Sequence, residues 1–288
     1  MDAFWRAAVY CLHPRVIALS FLPLVIMSVA SLGLGYLYWN DAVDLLRVQL
    51  DSYQLVGSTS QWLEGLGLGN LRMVLAPALL LFIAIPLIVM LSLLFVATLM
   101  TPAMVALVGQ RRFPTLERLQ GGSFSASVLW SLASTLMACI ALLLSLPLWL
   151  LPPLVLVLPP LIWGWLTYRV MAYDALAEHA SADERRQMFQ EHRWQLLGIG
   201  VLSGYLGAVP SVIWASGAMF VAMAPILVPV AIWVYTLVFA FSSLWFTHYA
   251  LSALQQLRSI GEDVAANARA TPKPAPELAP EPTFPTSF

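Results

Sequence analysis

Residues 73–110 read MVLAPALLLFIAIPLIVMLSLLFVATLMTPAMVALVGQ and contain no Asp, Glu, Lys or Arg. Three other stretches share this feature, namely residues 16–40, 119–168 and 194–257. A charge at the centre of a bilayer costs about 2.5–3.5 kcal/mol on insertion scales, so charge-free runs of this length indicate that lipid is the solvent. The sequence therefore predicts an all-α integral membrane protein that crosses the bilayer several times.

The overall composition agrees with a membrane environment. Hydrophobic residues make up 60% of the chain and charged residues 10%, whereas soluble domains carry about 25% charged residues. The formal net charge of −1 provides no strong field for nucleic acid. The two cysteines, Cys11 and Cys139, lack the spacing of a redox or zinc motif. We therefore expect the lipid bilayer as a partner, no nucleic acid and no bound cofactor.

The first two charge-free runs each suit one transmembrane helix. A span needs about 20 residues, and the 25 residues of run 16–40 favour an uncleaved helix over a signal peptide cleaved near residues 28–30. Run 73–110 would form a helix of about 57 Å, which exceeds the roughly 30 Å hydrocarbon core. We expect a long, bent helix that leaves the membrane near Thr101. The prolines that would bend it are Pro77, Pro86 and Pro102.

The last two runs are each long enough for two spans. Run 119–168 has an apolar, proline-containing centre at residues 146–153, and run 194–257 has two such segments, at residues 208–211 and 224–229. These patterns predict two proline-broken helical hairpins. Non-helical backbone at membrane depth must be buried in protein, so each hairpin either re-enters the membrane as a half-penetrating element or forms two full spans. The sequence leaves both alternatives open.

The distribution of basic residues predicts the orientation. With the N-terminus inside, only Arg47 and Arg72 fall outside, and twelve basic residues are cytoplasmic. These twelve are Arg6, Arg15, Arg111, Arg112, Arg118, Arg169, Arg185, Arg186, Arg193, Arg258, Arg269 and Lys273. The positive-inside rule therefore predicts that both termini are cytoplasmic.

Two segments outside the runs are predicted to differ in order. Residues 41–72 have opposite apolar and polar stripes, which predict an amphipathic element on the outer surface. From Thr271 onward, six of 18 residues are proline, a composition that builds no core. We therefore predict a single polytopic domain over residues 1–258 and a disordered, Pro-rich cytoplasmic tail over residues 259–288.

The polar segment before the last run, residues 181–193, contains the clearest local structural motif. Ser181 and Glu184 have capping-box spacing, which predicts a helix from Ala182 through Arg193. His179 and His192 would lie on different sides of such a helix, and neither belongs to a metal-ligand spacing. No nucleophile, base and oxyanion-donor trio is evident. We therefore expect neither a metal site nor an enzyme.

The ionisable and small residues within the runs indicate which mechanisms of transport are disfavoured. The runs contain no carboxylate, which disfavours proton pumping through an intramembrane acid, and His248 lies at the predicted cytoplasmic end of the last helix. Gly200 and Gly204 have small-xxx-small spacing, which favours tight helix packing over a permeation site. Passage of an anion would then rely on amides, hydroxyls and helix N-termini.

Four motifs occur in an order that resembles a known family. They are residues 10–15 (YCLHPR) followed by 22–24 (LPL), residues 97–104 (ATLMTPAM), Trp163 followed by Tyr173-Asp174 and the 181–193 loop, and the Gly198–Gly207 region with Pro210. Over residues 3–230 this arrangement is similar to the CysZ-like family, which also contains the eukaryotic etoposide-induced tumour-suppressor-like proteins.

The resemblance implies a bacterial inner-membrane protein that combines full spans with half-penetrating hairpins and assembles as a homo-oligomer. The best-known members move sulfate into the cytoplasm for cysteine synthesis. In that family a basic cluster after the first proline lies near a sulfate site, and Arg15 is the residue that matches it here. The family's Pro-x-x-Asn after the glycine-rich stretch is absent, since Ser211, Val212 and Ile213 follow Pro210.

The functional prediction is a CysZ-like inner-membrane permease or channel for sulfate or a related small anion, with Arg15 as the ligand-binding residue. The alternative is a non-transporting membrane scaffold or assembly factor of the same fold. The two differ in whether purified protein carries a flux of sulfate across a membrane.

Overall fold

The computed structural model describes residues 2–52, 71–119, 122–214 and 218–270. These residues are almost entirely helical, and no strand occurs among them. The helices are α1 (Asp2–Cys11), α2 (Pro14–Ser52), α3 (Leu71–Arg112), α4 (Phe124–Ser145), α5 (Pro152–Ala177), α6 (Ala182–Glu191), α7 (Arg193–Trp214) and α8 (Ala218–Ala270), with a 3-10 turn at Leu146–Leu150.

Four segments are long and apolar enough to cross a membrane: Pro14–Leu50, Leu75–Arg112, Ser125–Leu150 and Ile226–Val264. Their apolar side chains are largely uncovered by protein, with Phe82 78% exposed on α3. Surface of this kind needs lipid or another apolar partner. The prediction of an all-α, multi-pass membrane protein is therefore confirmed.

The third run forms the predicted helical hairpin. Helix α4 leads into the 3-10 turn, α5 returns along α4, and the Trp149 Nε1–H donates to Ser145 Oγ at 3.1 Å. The 22 residues of α4 extend about 33 Å at 1.5 Å per residue, close to the roughly 30 Å hydrocarbon core. Its length therefore suits a full crossing, although the choice between spanning and re-entry stays open.

The fourth run is helical at both of the places where a turn was predicted. Helix α7 continues past Pro210 to Trp214, and α8 begins at Ala218 and continues through Pro225 and Pro229. Both predicted turns, at residues 208–211 and 224–229, are therefore wrong. Proline is tolerated in membrane helices because neighbouring helices and local adjustments satisfy the freed backbone groups.

Two predicted segment boundaries also differ from those in the structure. Residues 41–52 continue α2 without a break instead of starting a separate surface element, while residues 53–70 lie outside the described part. Residues 259–270, assigned to the tail, form the end of α8, because the proline-rich composition begins only after them. The disorder predicted for residues 271–288 and the single-domain division stay predictions.

Helix α8 is the centre of the bundle and packs against α1, α2, α3, α5, α6 and α7. The fully buried side chains concentrate toward one end, where Met104 of α3, Leu196 of α7 and Leu251 of α8 share one core. Helices α5 and α7 make the most extensive pair. The polar connections between the helices lie at this end, and the candidate site is formed there.

Candidate functional site

Arg258 of α8 connects the polar segments at the buried end of the bundle. Its Nε and Nη2 donate to the two Glu184 carboxylate oxygens at 2.8 and 3.1 Å. Its Nη1 and Nη2 also donate to the backbone oxygens of Glu117 and His179, at 3.0 and 2.7 Å. The α3–α4 loop, the α5–α6 connection and α6 are therefore held to α8 by one guanidinium.

Glu184 belongs to a complete capping box at the start of α6. The Glu184 backbone N–H donates to Ser181 Oγ, and the Ser181 backbone N–H donates to the Glu184 carboxylate at 2.8 Å. This confirms the predicted helix start at Ala182, but α6 ends at Glu191 and α7 starts separately at Arg193. The hydrogen bonds from Arg258 chiefly lower the pKa of Glu184, against the raising effect of burial.

Arg112 and His248 meet at the junction of α1, α3 and α8. An Arg112 guanidinium N–H donates to His248 Nδ1 at 3.3 Å. Since Nδ1 accepts, the hydrogen of the neutral ring lies on Nε2. The His248 side chain is fully buried, and Nε2 has no hydrogen-bond partner among the described residues. Tyr10 of α1 places its ring edge-on at 4.8 Å. The Nε2–H, on the ring edge opposite Arg112, is therefore a buried donor without a partner among the described residues.

Arg112 forms no contact ion pair with a carboxylate of the described residues. In the described parts of the chain, ion pairs within 4.0 Å join Arg47 to Asp44, Arg118 to Glu178 and Arg258 to Glu184. Arg112 takes part in none of them and has a histidine as its hydrogen-bond acceptor. A half-buried cation with no carboxylate beside it favours binding of an anion.

Arg169 of α5 is held by aromatic rings. Its Cζ lies 3.9 Å from the ring centroid of Trp130, 5.4 Å from that of Trp165 and 5.9 Å from that of Phe189. The Trp130 Nε1–H donates to the backbone oxygen of Arg169 at 3.0 Å. Cation–π contacts stabilise the charge without neutralising it. Arg169 is thus a second cation at this end without a carboxylate in ion-pair range in the described residues.

A half-buried carboxylate lies in the same region. The Ser127 hydroxyl of α4 donates to Asp174 of α5. Burial raises the pKa of Asp174, and the hydrogen bond from Ser127 opposes that rise. Asp174 lies beyond the charge-free run, near the end of α5, so the absence of carboxylates within the runs holds.

The structure separates the residues that the sequence had singled out. Arg15 is exposed at the start of α2, where its backbone N–H donates to His13 Nδ1 at 3.2 Å, so His13 caps the helix. His179 is buried next to Gly109, whereas His192 Nδ1 lies 2.9 Å from the Tyr249 hydroxyl. The ligand-binding role of Arg15 stays a prediction.

Sequence reasoning missed the Arg112–His248 pair, although each residue carried a signal. Arg112 follows the end of run 73–110, and His248 is the one residue in the charge-free runs with an imidazole. Both signals place a polar group at the boundary of the apolar region. Neither indicates that residues 136 positions apart are neighbours.

Comparison with known proteins places this architecture in a family. Residues 3–216 match the family model described as Sulfate transporter CysZ/Etoposide-induced protein 2.4. The chain belongs to this CysZ/etoposide-induced protein 2.4 family. Family membership supports a transporter-like role in a membrane. No curated protein and no solved structure matched the chain in the other two comparisons.

The CysZ/etoposide-induced protein 2.4 match covers only part of the polar end. Arg15, Arg112 and Arg169 lie within the matched residues, whereas His248 and Arg258 lie beyond them on α8. The central helix of the bundle therefore contributes residues to both the Arg112 pair and the Arg258 connection from outside the matched region.

Proposed function

We propose that this chain is a permease or channel that passes sulfate or a related small anion across a membrane, without a bound cofactor and without catalysis. The observation that carries the proposal is the Arg112 guanidinium, which His248 Nδ1 orients and which has no carboxylate within 4.0 Å among the described residues. Membership in a family whose description names a sulfate transporter supports the same class of substrate.

The chemistry of the pair suits a tetrahedral oxyanion. A guanidinium presents several N–H donors in a planar fork that matches two oxygens of such an anion. The His248 imidazole accepts one guanidinium N–H through Nδ1 and so orients the fork, while its own Nε2–H lies on the other side of the ring. No carboxylate lies within 4.0 Å of Arg112 in the described residues. Of the two α1 charges that act on Arg112, Arg6 favours an approaching anion and Asp2 opposes it.

The proposal includes a location and an assembly. Helix α1, the α3–α4 loop and the segment between α5 and α7 meet at one end of the bundle. This end carries more Arg residues than the opposite end, which favours the cytoplasmic side. We therefore propose a bacterial inner-membrane protein with both termini cytoplasmic, in which the Arg112 site opens toward the cytoplasm. The exposed apolar faces of the spans suit lipid and the contacts of a homo-oligomer.

Uptake of radiolabelled sulfate into proteoliposomes tests the proposal. Wild-type protein should give flux above empty vesicles. In Arg112→Gln the half-saturating sulfate concentration should rise by about tenfold or more, because charge-assisted hydrogen bonds contribute about 1.5–3 kcal/mol. Arg111→Gln removes an exposed neighbouring charge and serves as the matched control. Wild-type flux no greater than that of empty vesicles would contradict transport.

The alternative is a non-transporting scaffold or assembly factor. It is favoured by the close α5–α7 contact, because a backbone-to-backbone crossing at Gly164 and Gly200 suits a rigid framework. A scaffold predicts no sulfate flux and a defined set of co-purifying membrane proteins. The proteoliposome experiment therefore separates the two functions.

A further inference from the structure

Helix α1 is anchored to the bundle by one face and leaves the other uncovered. Phe4 contacts the rings of Phe241 and Trp245 at 5.3 and 5.0 Å between centroids. On the outer side, Trp5 and Val9 are both 66% exposed. Only Leu12 and His13 separate α1 from α2, whose spanning segment begins at Pro14. The uncovered face therefore lies at the boundary of the membrane.

A cleft of about 390 Å³ runs along this face, with lining residues Asp2, Trp5, Arg6, Val9 and Tyr10. All five lining residues belong to α1, so the cleft is open to its surroundings and suits a headgroup held at a surface. The lining combines an indole, a phenol and an aliphatic side chain with one acid and one base. Tryptophan and tyrosine are enriched where a membrane meets water, because one end of each ring is apolar and the other polar.

The two charges in the cleft are arranged as a dipole. Asp2 and Arg6 are four residues apart on one helix face, with about 5–6 Å expected between their Cβ atoms. Both are exposed, and no ion pair joins them within 4.0 Å in the described part of the chain. Both charges also act electrostatically on Arg112, and each remains open from solvent to a ligand of opposite sign.

We propose that the α1 cleft binds the headgroup of a zwitterionic phospholipid that carries a phosphate and a primary ammonium. Arg6 contacts the phosphate, and Asp2 accepts hydrogen bonds from the ammonium. Trp5 and Val9 contact the glycerol and upper acyl region, since they lie beside both charges on the uncovered face. The proposal goes beyond anion transport. Arg112 lies within electrostatic range of Asp2 and Arg6 but does not line the cleft.

Asp2 distinguishes this occupant from an anionic lipid. A headgroup with a phosphate alone satisfies Arg6 but leaves Asp2 facing a like charge. A choline headgroup has a cation near Asp2 but no N–H to donate. The primary ammonium is the group that satisfies the carboxylate by both charge and hydrogen bonding.

Lipid binding to the detergent-solubilised full chain tests this proposal. Phosphatidylethanolamine, phosphatidylglycerol and phosphatidylcholine with identical acyl chains are titrated, and bound lipid is counted by native mass spectrometry. Wild-type protein should prefer phosphatidylethanolamine by about fivefold, the effect of one favourable exposed ion pair. Asp2→Asn should abolish that preference, and Arg6→Gln should weaken binding of all three lipids.

Two matched variants serve as controls. Asp44→Asn combined with Arg47→Gln removes an acid–base pair that is already satisfied internally at 3.1 Å, so the lipid preference should persist. Arg111→Gln, an exposed charge outside the lining of the cleft, should also retain it. Because bound lipid is counted without any flux measurement, failure of this proposal is distinct from failure of the transport proposal. Equal or stronger binding of phosphatidylglycerol to wild type, or an unchanged preference in Asp2→Asn, overturns the proposal. Competition by soluble phosphoethanolamine at comparable affinity overturns a membrane lipid as the occupant.

Discussion

The carbonyl oxygen of Gly164 lies only 2.2 Å from the position that a Cβ atom on Gly200 would occupy. Helices α5 and α7 therefore meet backbone to backbone at this crossing. We expect Gly200→Ala to destabilise the folded protein by about 1–3 kcal/mol, the usual cost of overpacking, because backbone and not a flexible side chain must move. Thermal unfolding of purified protein in detergent measures this loss.

Gly204 is the control for that substitution. It lies one turn from Gly200, and a Cβ atom built on it meets nothing within 4 Å among its described neighbours. Alanine is the better helix former by about 1 kcal/mol, so Gly204→Ala should leave the unfolding temperature unchanged or raise it slightly. Equal losses in the two variants would show that the crossing does not depend on close backbone contact.

Gly200 and Gly204 show how much of the helix packing could be predicted from the sequence. Small-xxx-small spacing predicted tight packing, and that prediction is confirmed for Gly200 but not for Gly204. The spacing describes one helix only. The partner, Gly164, depends on the relative register of α5 and α7, which many side chains along both helices determine together. A local sequence pattern therefore does not predict this register.

Glu184→Gln should weaken the attachment of α6 to α8. The carboxylate accepts two hydrogen bonds from Arg258, and their ion pair is mostly shielded from solvent. We expect a loss of about 1.5–3 kcal/mol at neutral pH, typical of hydrogen bonds to charged groups. Thermal unfolding measures it. Glu178→Gln removes the exposed 4.0 Å pair with Arg118 and should cost less than about 0.5 kcal/mol.

The effect of Glu184 should depend on pH with a defined sign. Its folded-state pKa lies below the ordinary value of 4.5, so its contribution is fully present above pH 4.5. The contribution is lost as the pH falls through the folded-state pKa. The difference in stability between wild type and Glu184→Gln should therefore shrink on acidification below pH 4.5. A difference that is constant down to pH 3 would contradict this origin.

His179 should produce a second pH dependence, nearer neutrality. Burial chiefly lowers its pKa from 6.5, with further lowering by Arg118 and Arg258 and an opposing effect of Glu178. The unfolded chain therefore binds a proton more readily than the folded chain as the pH falls through 6.5. Stability should decline below that pH. Replacement by glutamine should flatten the unfolding temperature between pH 7.5 and 5.5 relative to wild type, whereas identical slopes would exclude His179 as the source.

In the candidate site, too, contacts between residues close in sequence were predictable and contacts between residues far apart in sequence were not. The capping box of Ser181 and Glu184 was predictable because its partners are three residues apart and follow one backbone geometry. Arg258 lies 74 residues from Glu184, and its role depends on how α8 packs. Both turns predicted in the fourth run were also wrong, because proline is a weaker helix breaker in a membrane bundle than in water.

Cysteine labelling at Leu150 should decide whether the α4–α5 hairpin crosses the bilayer. Leu150 lies in the 3-10 turn and is 86% exposed. The exposed Cys139 is replaced by Ser, while Cys11 is retained because burial raises the pKa of its thiol to about 11 and the thiol reacts slowly. Ser259→Cys, just past Arg258, provides the reference at the polar end.

We expect a membrane-impermeant maleimide to label Leu150→Cys only from the face opposite to Ser259→Cys. The reason is geometric, because the roughly 33 Å length of α4 matches the hydrocarbon core. Protection of Leu150→Cys from both faces would instead identify a half-penetrating hairpin whose turn is covered by protein or lipid. Labelling from the same face as Ser259→Cys would contradict both arrangements, since it would require the turn to return to the polar end.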